Sequence, residues 1–265
     1  MSETLSYRGV SGNIPPEQKI LSEGTRSGRI RNLIISELIM KLERMDEFFA
    51  ARIDGYDEHM RTCIEGASAF YAYTASLLPA DKEVHILDLG CGTGLELEEY
   101  FRLNPGGSVT GIDLSDAMLN VLKNKFPGHR IHLIRGSYFD VPLGEAVYDA
   151  AVSVESLHHF PAERKEALYR KLFTALKEKG AFVLTDYFAE SEKLEKEYFR
   201  NLAQLKQEQG LPEDGFFHYD TPLTVEHEIA VLKKAGFSEV RIMKEWGSTF
   251  TLLAEKHAGS GRTSD

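Results

Sequence analysis

The chain has 265 residues, 42% of them hydrophobic and 27% charged, and a formal net charge of −10 at pH 7. This length can bury a substantial core in one large domain, and the overall polarity argues against a chain built around membrane spans. The acidic balance disfavours a nucleic-acid partner, which needs a basic face, so we expect a small-molecule partner and no membrane insertion.

The N-terminal part of the sequence falls into two patterns. Residues 1–30 combine Gly, Ser, Pro and charge without apolar periodicity, which predicts a flexible tail outside the core. Apolar residues then recur at helical spacing over about 30–49, and a second helical pattern covers about 57–78. We therefore expect N-terminal helices over residues 31–82, ahead of the sheet.

The middle of the chain alternates between strand-like and helical segments. The apolar run 84–89 predicts a buried parallel strand that enters the glycine turn DLGCGTG. The segments that follow are ELEEYFRL, VTGID, DAMLNVLKNKF, IHLIRG, YDAAVSVE, a helix over about 162–179, and AFVLTDY. This order predicts an α/β fold with a parallel sheet and helices on both faces.

The C-terminal part departs from simple alternation. A charged helical stretch over about 191–209 follows the fifth strand and indicates an insertion. A helix at about 224–235 precedes two strands, FSEVRIMKE and TFTLLAEK, which are joined by a turn at Trp246 and Gly247. A terminal hairpin of this kind makes the sheet mixed, with one antiparallel strand.

The glycine turn carries the first chemical signal. Asp88, Gly90, Gly92 and Gly94 form D-x-G-x-G-x-G between a buried strand and an amphipathic helix. Glycines let the backbone approach a ligand closely, and the free amides at the helix start suit an anionic group such as a carboxylate. The pyrophosphate loop of dinucleotide enzymes has the different spacing G-x-G-x-x-G. An ordinary tight turn is the alternative interpretation.

Asp113 ends the strand VTGID, about 20 residues beyond the glycine turn. An acidic side chain at this position can accept hydrogen bonds from both ribose hydroxyls of an adenosine. Leu114 and Met118 are then expected to flank the adenine. The alternative role for Asp113 is to cap the next helix, which Ser115 or Asp116 could also do.

Three segments, VHILDLGCGTG, VTGIDLS and YDAAVSVESLHHF, resemble motifs of the class I S-adenosylmethionine-dependent methyltransferases, over roughly residues 50–256. The resemblance implies a Rossmann-like, seven-stranded mixed sheet whose last strand is antiparallel. It implies S-adenosylmethionine as the cofactor at the carboxyl edge of the first strands, with the acceptor above the fourth. We accordingly expect a methyltransferase domain at 83–256, a lid-like insertion within it at 188–222, and a flexible tail at 257–265.

The same resemblance assigns cofactor contacts to individual residues. Asp88, Gly90 and Cys91 are expected near the methionine end of the cofactor, Gly92 belongs to the same loop, and Asp113 holds the ribose. Many relatives carry Gly-Asp after the third strand, where the acid reaches the adenine.

This chain departs from that pattern, because it has Gly136, Ser137 and Tyr138 after the third strand. The Ser137 side chain and the Tyr138 amide are expected to contact the base instead. Tyr138 could equally be a core aromatic.

The segment ESLHHF follows the fourth strand, at the edge where α/β sheets expose ligand sites. Glu155 is expected at the cofactor. His158 is predicted to act as an auxiliary catalytic base, with His159 as the second candidate, and the alternative for both is structural support of the loop. No metal is expected, and a metal-dependent variant would use Glu155 and Asp186.

Two aromatic segments lie outside these motifs. Tyr56, in IDGYDEHM, corresponds to an aromatic residue of relatives whose N-terminal helix closes over the cofactor, and its expected partner is the methionine carboxylate. Packing of Tyr56 on a helix face is the alternative. The segment EDGFFHYDTP at 213–222 predicts either a lid over the acceptor or a loop clamped by its own aromatic side chains.

The two cysteines, Cys63 and Cys91, can build neither a disulfide scaffold nor a four-cysteine zinc site, and the N-terminus has no apolar run typical of a secretory signal. We therefore expect a cytoplasmic protein. The predicted function is transfer of a methyl group from S-adenosylmethionine to a small-molecule acceptor by in-line displacement. The alternatives are a methyltransferase acting on tRNA or protein, a non-catalytic S-adenosylmethionine-binding protein, and a nicotinamide-dependent reductase.

Overall fold

A seven-stranded sheet crosses the part of the chain that the computed structural model describes, residues 41–81 and 83–257. Its strands are β1 (His85–Leu89), β2 (Ser108–Asp113), β3 (Arg130–Arg135), β4 (Tyr148–Val154), β5 (Leu176–Tyr187), β6 (Glu239–Trp246) and β7 (Thr249–Glu255). The helices are α1 (Met45–Ala51), α2 (Tyr56–Cys63), α3 (Ala67–Ser76), α4 (Leu95–Leu103), α5 (Asp116–Lys125), α6 (Ala162–Ala175), α7 (Glu192–Glu208) and α8 (Val225–Lys234), with a 3-10 helix at Leu157–His159. The tail expected at 1–30, the start of the first helical pattern and residues 258–265 lie outside the described residues.

The strand order is β3-β2-β1-β4-β5-β7-β6, and β7 runs antiparallel to both of its neighbours while the other pairs are parallel. The predicted mixed, Rossmann-like sheet is therefore confirmed. Ile86, Leu87 and Leu89 of β1 are fully buried, as a strand covered by helices on both faces requires. Because parallel strands point the same way, the polar residues Asp113 and Glu155, at the ends of β2 and β4, meet at one edge of the sheet.

The expected second helical stretch, 57–78, is broken in the structure. Helix α2 ends at Cys63, and α3 starts after Gly66, which has a φ of 78°. A left-handed residue cannot continue an α-helix, and a Cβ at position 66 would lie 2.9 Å from the Trp246 Cβ. The break turns α3 so that Phe70, Thr74 and Ala75 face the core.

The helix predicted over 162–179 is also too long. Helix α6 stops at Ala175, and Leu176 already pairs with Tyr148 as the first residue of β5. Lys256 Nζ donates to the carbonyls of Phe173 and Leu176 at 2.7 Å each, which provides partners for carbonyl groups at this helix end. Strand pairing thus overrides the helical preference of LKEK.

The insertion after β5 contains α7 and the loop 213–222. A small separate cluster forms here, in which the buried side chains of Leu42, Phe217 and Tyr219 contact Leu202, Leu205 and Leu211. Among the described residues, no helix has the length and apolar character that a membrane span requires.

Candidate active site

The glycine turn lies at the carboxyl end of β1 and begins with backbone that excludes a side chain. Gly90 has a φ of 73°, and a Cβ added there would lie 2.1 Å from the Ser156 Oγ and 3.5 Å from the Tyr138 ring. The turn therefore packs its backbone directly against the loop after β4, and only glycine fits at this position.

The Asp113 carboxylate is held by the backbone around it. Its Oδ2 accepts from the Gly92 amide at 2.9 Å, and its Oδ1 accepts from the Ser115 amide at 2.8 Å. Ser115 caps α5 by accepting from the Met118 amide at 3.4 Å, so the capping role falls to Ser115. Burial raises the pKa of Asp113, and the hydrogen bonds from Ser115, Gly92 and Leu114 offset part of that increase.

A narrow cavity of about 60 Å³ lies between the glycine turn and the N-terminal helices. Eight of the predicted cofactor residues line it: Tyr56, Gly90, Gly92, Asp113, Leu114, Met118, Tyr138 and Glu155. Ser115, predicted as a helix cap, and His159, the second candidate base, also line it, and sequence reasoning missed five further lining residues: Met45, Asp46 and Phe49 of α1, and Val154 and Ser156. The α1 residues could not have been found from a motif, because only the tertiary packing brings α1 to this edge.

Three predicted cofactor residues do not line the cavity. Cys91 is buried, and burial raises the pKa of its thiol well above the usual range, so the side chain is a small, unreactive packing group. Ser137 accepts from the Phe139 amide at 3.2 Å within its own turn. Asp88 lies beneath the turn, 1% exposed.

The Asp88 carboxylate is unusual because neither of its oxygens has a hydrogen-bond partner among the described residues. The same holds for Glu96 Oε1 of α4. Burial, together with the nearby Glu96 carboxyl group, raises the pKa of Asp88 well above its usual range. Burial of an unpartnered carboxylate is costly, so the neutral, protonated form of Asp88 is favoured.

Tyr56 is fixed over the cavity through its neighbour Asp57. Asp57 accepts from Thr93 Oγ1 of the glycine turn and from Lys125 Nζ of α5, both at 2.5 Å. These contacts attach the start of α2 to the two elements that flank the cavity. Burial, followed by the charge of Asp113, raises the pKa of the Tyr56 phenol, which stays neutral and able to donate.

Beyond the cavity, His158 lies between two carboxylates. Its Nδ1 is 2.6 Å from Asp186 Oδ1, and its Nε2 is 3.5 Å from Asp220 Oδ1. Asp186 also accepts from the Leu157 amide at 2.9 Å and the Tyr187 amide at 3.0 Å. Burial alone would lower the pKa of His158, but Asp186 and Asp220 raise it well above the usual range.

His159 has a different environment, although it is adjacent in sequence. Its Nδ1 lies 3.2 Å from the Tyr219 carbonyl and 3.3 Å from Asp220 Oδ1. Burial and then the charge of His158 lower the pKa of His159. Burial alone would raise the pKa of Asp220, but hydrogen bonds from His158 and His159 lower it well below its usual range. The two rings, 4.0 Å apart, therefore differ in charge.

The donor atoms of Glu155, His158 and Asp186 lie within 4.8 Å of one another, as the metal-dependent alternative required. Hydrogen bonds already engage both Asp186 oxygens and the His158 Nδ1. We therefore assign no metal to this group.

A much larger groove, about 1390 Å³, adjoins the cavity on the side of the insertion. Its walls come from α7, the start of α6 and the loop 213–222, and include Phe160, Phe199 and Phe216. His159 lines both the groove and the narrow cavity. The groove and the cavity therefore share this histidine as a wall residue.

Comparison with known proteins gives this site a context. A family described as "Methyltransferase domain" matches residues 86–180, which include the glycine turn, Asp113 and both histidines. Carboxy-S-adenosyl-L-methionine synthase of Campylobacter concisus is 27% identical over 238 residues, covering 86% of this chain and all of that protein. The synthase of the same name from Nautilia profundicola is 27% identical over 181 residues, 64% of this chain and 76% of that protein.

A solved structure shows the same fold. Human N-acetylserotonin methyltransferase, in complex with SAM, aligns with a TM-score of 0.56 at 18% identity. The alignment covers 81% of this chain and 59% of that one, so this chain spans less than two thirds of its length. This likeness concerns the fold alone.

Proposed function

Because the chain belongs to the class I S-adenosylmethionine-dependent methyltransferases, we propose that it transfers the methyl group of this cofactor to a small-molecule acceptor by in-line displacement. The observation that carries the proposal is the meeting of a narrow cavity and a large groove at His159, at the carboxyl edge of the sheet. One chamber suits the cofactor and the other the acceptor, with the reacting atoms at their junction.

The residues of the cavity fit the cofactor. Asp113 takes the ribose hydroxyls through oxygen lone pairs that its two backbone contacts leave free, and Leu114 and Met118 flank the adenine. Asp88, which lies directly below the turn, remains a proposed neighbour of the methionine end, and the Tyr56 hydroxyl suits the methionine carboxylate. Ser137 and the Tyr138 amide remain proposed contacts to the base.

The chemistry needs little from the protein beyond alignment. S-adenosylmethionine supplies an electrophilic methyl group on a sulfonium centre. The chain must hold the acceptor in line with that group and exclude water, and positioning of this kind can lower a barrier by about 7 to 11 kcal/mol. Phe160 and Phe216, whose rings pack edge to face 5.5 Å apart, provide an apolar wall where the groove approaches the cavity.

The synthase relatives raise a second candidate, formation of a carboxylated cofactor. A carboxylate at the reacting carbon would call for a cation facing it. The charged side chains that line the cavity among the described residues are instead the carboxyl groups of Asp46, Asp113 and Glu155, beside the imidazole of His159. Methyl transfer is therefore better supported, and mass spectrometry of the cofactor product separates the two reactions.

The proposal is tested by incubating the full chain with radiolabelled S-adenosylmethionine and a metabolite library, and by scoring transfer of label to each compound. Calorimetry should also show binding of S-adenosylmethionine and none of NAD. Label transfer only to tRNA or protein would contradict the proposed acceptor class. The reaction is proposed for the cytoplasm, consistent with two free thiols, Cys63 and Cys91.

Glu155 provides a pH-dependent prediction. It has a φ of 49°, lines the cavity and accepts from Thr249 Oγ1 at 3.0 Å. Burial raises the pKa of Glu155 to about 7, with His158 acting in the opposite direction. A cationic ligand favours the ionised carboxylate and lowers this pKa in the complex, so binding releases a proton. S-adenosylmethionine affinity should rise about three- to tenfold from pH 6 to 8, then level off.

S-adenosylhomocysteine provides the control, because it shares the amino acid and adenosine groups but its sulfur is neutral. Calorimetric titrations at pH 6, 7 and 8 should show a smaller rise for this ligand. In the variant Glu155→Gln, the affinities of the two ligands should depend on pH to the same extent. Equal pH dependence of both ligands in the wild-type protein would exclude a charge interaction between Glu155 and the sulfonium.

A further inference from the structure

The paired histidines after β4 differ in the partners of their ring nitrogens. Both nitrogens of His158 face carboxylates, which only accept hydrogen bonds. Each of those nitrogens must carry a proton to make its contact favourable. His158 is therefore an imidazolium, fixed between Asp186 and Asp220, and has no lone pair for a further proton.

His159 has one engaged nitrogen and one open nitrogen. Its Nδ1 faces a carbonyl and a carboxylate, both acceptors, so the ring proton resides on Nδ1. Its Nε2 makes no hydrogen bond among the described residues, and this atom is not completely buried. The Nε2 lone pair is therefore accessible from the space around the ring, which is the junction of the cavity and the groove.

We propose that His159, and not His158, removes the proton of the acceptor through Nε2, and that the acceptor therefore belongs to the class of hydroxyl or N–H compounds that lose a proton on methylation. This inference rests on the proposed function. The acceptor heteroatom breaks its bond to hydrogen, and His159 Nε2 takes the proton. The heteroatom's electron pair forms the bond to the methyl carbon, and the carbon–sulfur electron pair stays on sulfur, which becomes neutral.

Several charged and titratable groups surround His159, and among them Asp220 favours this direction of transfer whereas the charge of His158 opposes it. They come from each neighbouring element and comprise His158, His218, Asp220, Asp186, Glu155, Asp46 and Arg164. His218 is neutral, because burial lowers its pKa to about 3, so it adds no charge. Asp220 lies 3.3 Å from His159 Nδ1 and stabilises the ring once it has received the proton. His158 positions Asp220 and is itself a positioning residue.

The protonation states can be tested without an acceptor. Nitrogen-15 correlation spectra of the full chain, bound to S-adenosylhomocysteine, should show two protonated ring nitrogens for His158 at pH 7. They should show a pyridine-like Nε2 for His159. His159→Gln and His158→Gln assign the signals, and the exposed His132 of β3 provides a comparison signal outside the site. A neutral His158 or a fully protonated His159 at pH 7 overturns the inference.

The catalytic step is tested in single turnover with an acceptor found by the labelled screen. His159→Gln should lower the rate about 10²- to 10⁴-fold and remove the acid limb of the pH profile. This limb should lie below the ordinary histidine pKa, since burial lowers the pKa of His159. His158→Gln should keep the limb, and His132→Gln should leave rate and profile unchanged.

Loss of the limb in His158→Gln alone, or an acceptor with no proton to lose, contradicts the inference while methyl transfer stands. An absence of any methylated compound contradicts the proposed function instead.

Discussion

Replacement of Asp113 by alanine should weaken S-adenosylmethionine binding about 10- to 100-fold. A charge-assisted hydrogen bond contributes roughly 1.5 to 3 kcal/mol, and one decade of affinity corresponds to about 1.4 kcal/mol. The structure adds a second cause, because the Gly92 and Ser115 amides both lose their acceptor in this variant. Isothermal calorimetry with S-adenosylmethionine measures the change, and circular dichroism confirms that the variant folds.

Asp116 supplies a matched control three residues further along. Its carboxylate is exposed and pairs with exposed Arg135 at 2.7 Å, away from the cavity. Asp116→Ala should leave the dissociation constant unchanged within about twofold. If both variants weaken binding equally, the effect comes from general loss of negative charge, and Asp113 has no specific role at the ribose.

The second large effect concerns stability and lies away from the site. Lys165 of α6 is 1% exposed, and its Nζ donates to Glu228 Oε2 of α8 at 2.5 Å. Glu228 is fully buried and also accepts from the Tyr169 hydroxyl. Lys165→Met should lower the free energy of unfolding by about 3 to 5 kcal/mol, because it leaves a buried carboxylate without its cation. Urea denaturation measures this change.

Two comparisons separate the lost pair from other consequences of the substitution. The double variant Lys165→Met, Glu228→Leu should recover most of the loss, since removal of both charges costs far less than removal of one. Lys196→Met breaks an exposed pair with Glu192 on α7 and should change stability by less than about 1 kcal/mol. If the double variant were as unstable as the single one, the decrease in the free energy of unfolding would come from lost packing and not from the unpaired charge.

Sequence patterns predicted the sheet because each strand is specified by residues within it or directly next to it. The apolar run before the glycine turn, the acid at the end of β2 and the terminal hairpin all appear where their spacing indicated. The errors arise where tertiary contacts decide the outcome. LKEK is helical by preference but pairs with β4, and the helix over 57–78 is broken because Trp246, from the far end of the chain, packs on Gly66.

The site shows the same division. A motif places Gly90, Gly92 and Asp113 together because they sit at the ends of adjacent parallel strands. No sequence pattern could reveal that His158 lies between Asp186 and Asp220. These two acids follow His158 by 28 and 62 positions in the chain, and only the fold brings them to the histidine. The sequence therefore offers two equivalent histidines, and only their hydrogen-bond partners distinguish them.

Helix α1 belongs to both chambers. Met45 and Phe49 line the narrow cavity, while the Met45 amide donates to the Phe216 carbonyl at 3.1 Å and the His218 amide to the Glu43 carbonyl at 3.0 Å. A cavity of about 60 Å³ is far below the roughly 300 Å³ that ligand pockets start from, so we expect its walls, α1 among them, to shift when the cofactor enters.

An isolated antiparallel β-bridge between Arg44, next to α1, and Phe217 would carry that shift into the loop 213–222, which forms one wall of the groove. A ligand bound in one chamber should then change the rate at which a ligand enters and leaves the other. By thermodynamic linkage the effect is mutual. Stopped-flow release of S-adenosylhomocysteine should slow when an acceptor fills the groove, and an unchanged release rate would show that the two chambers open independently.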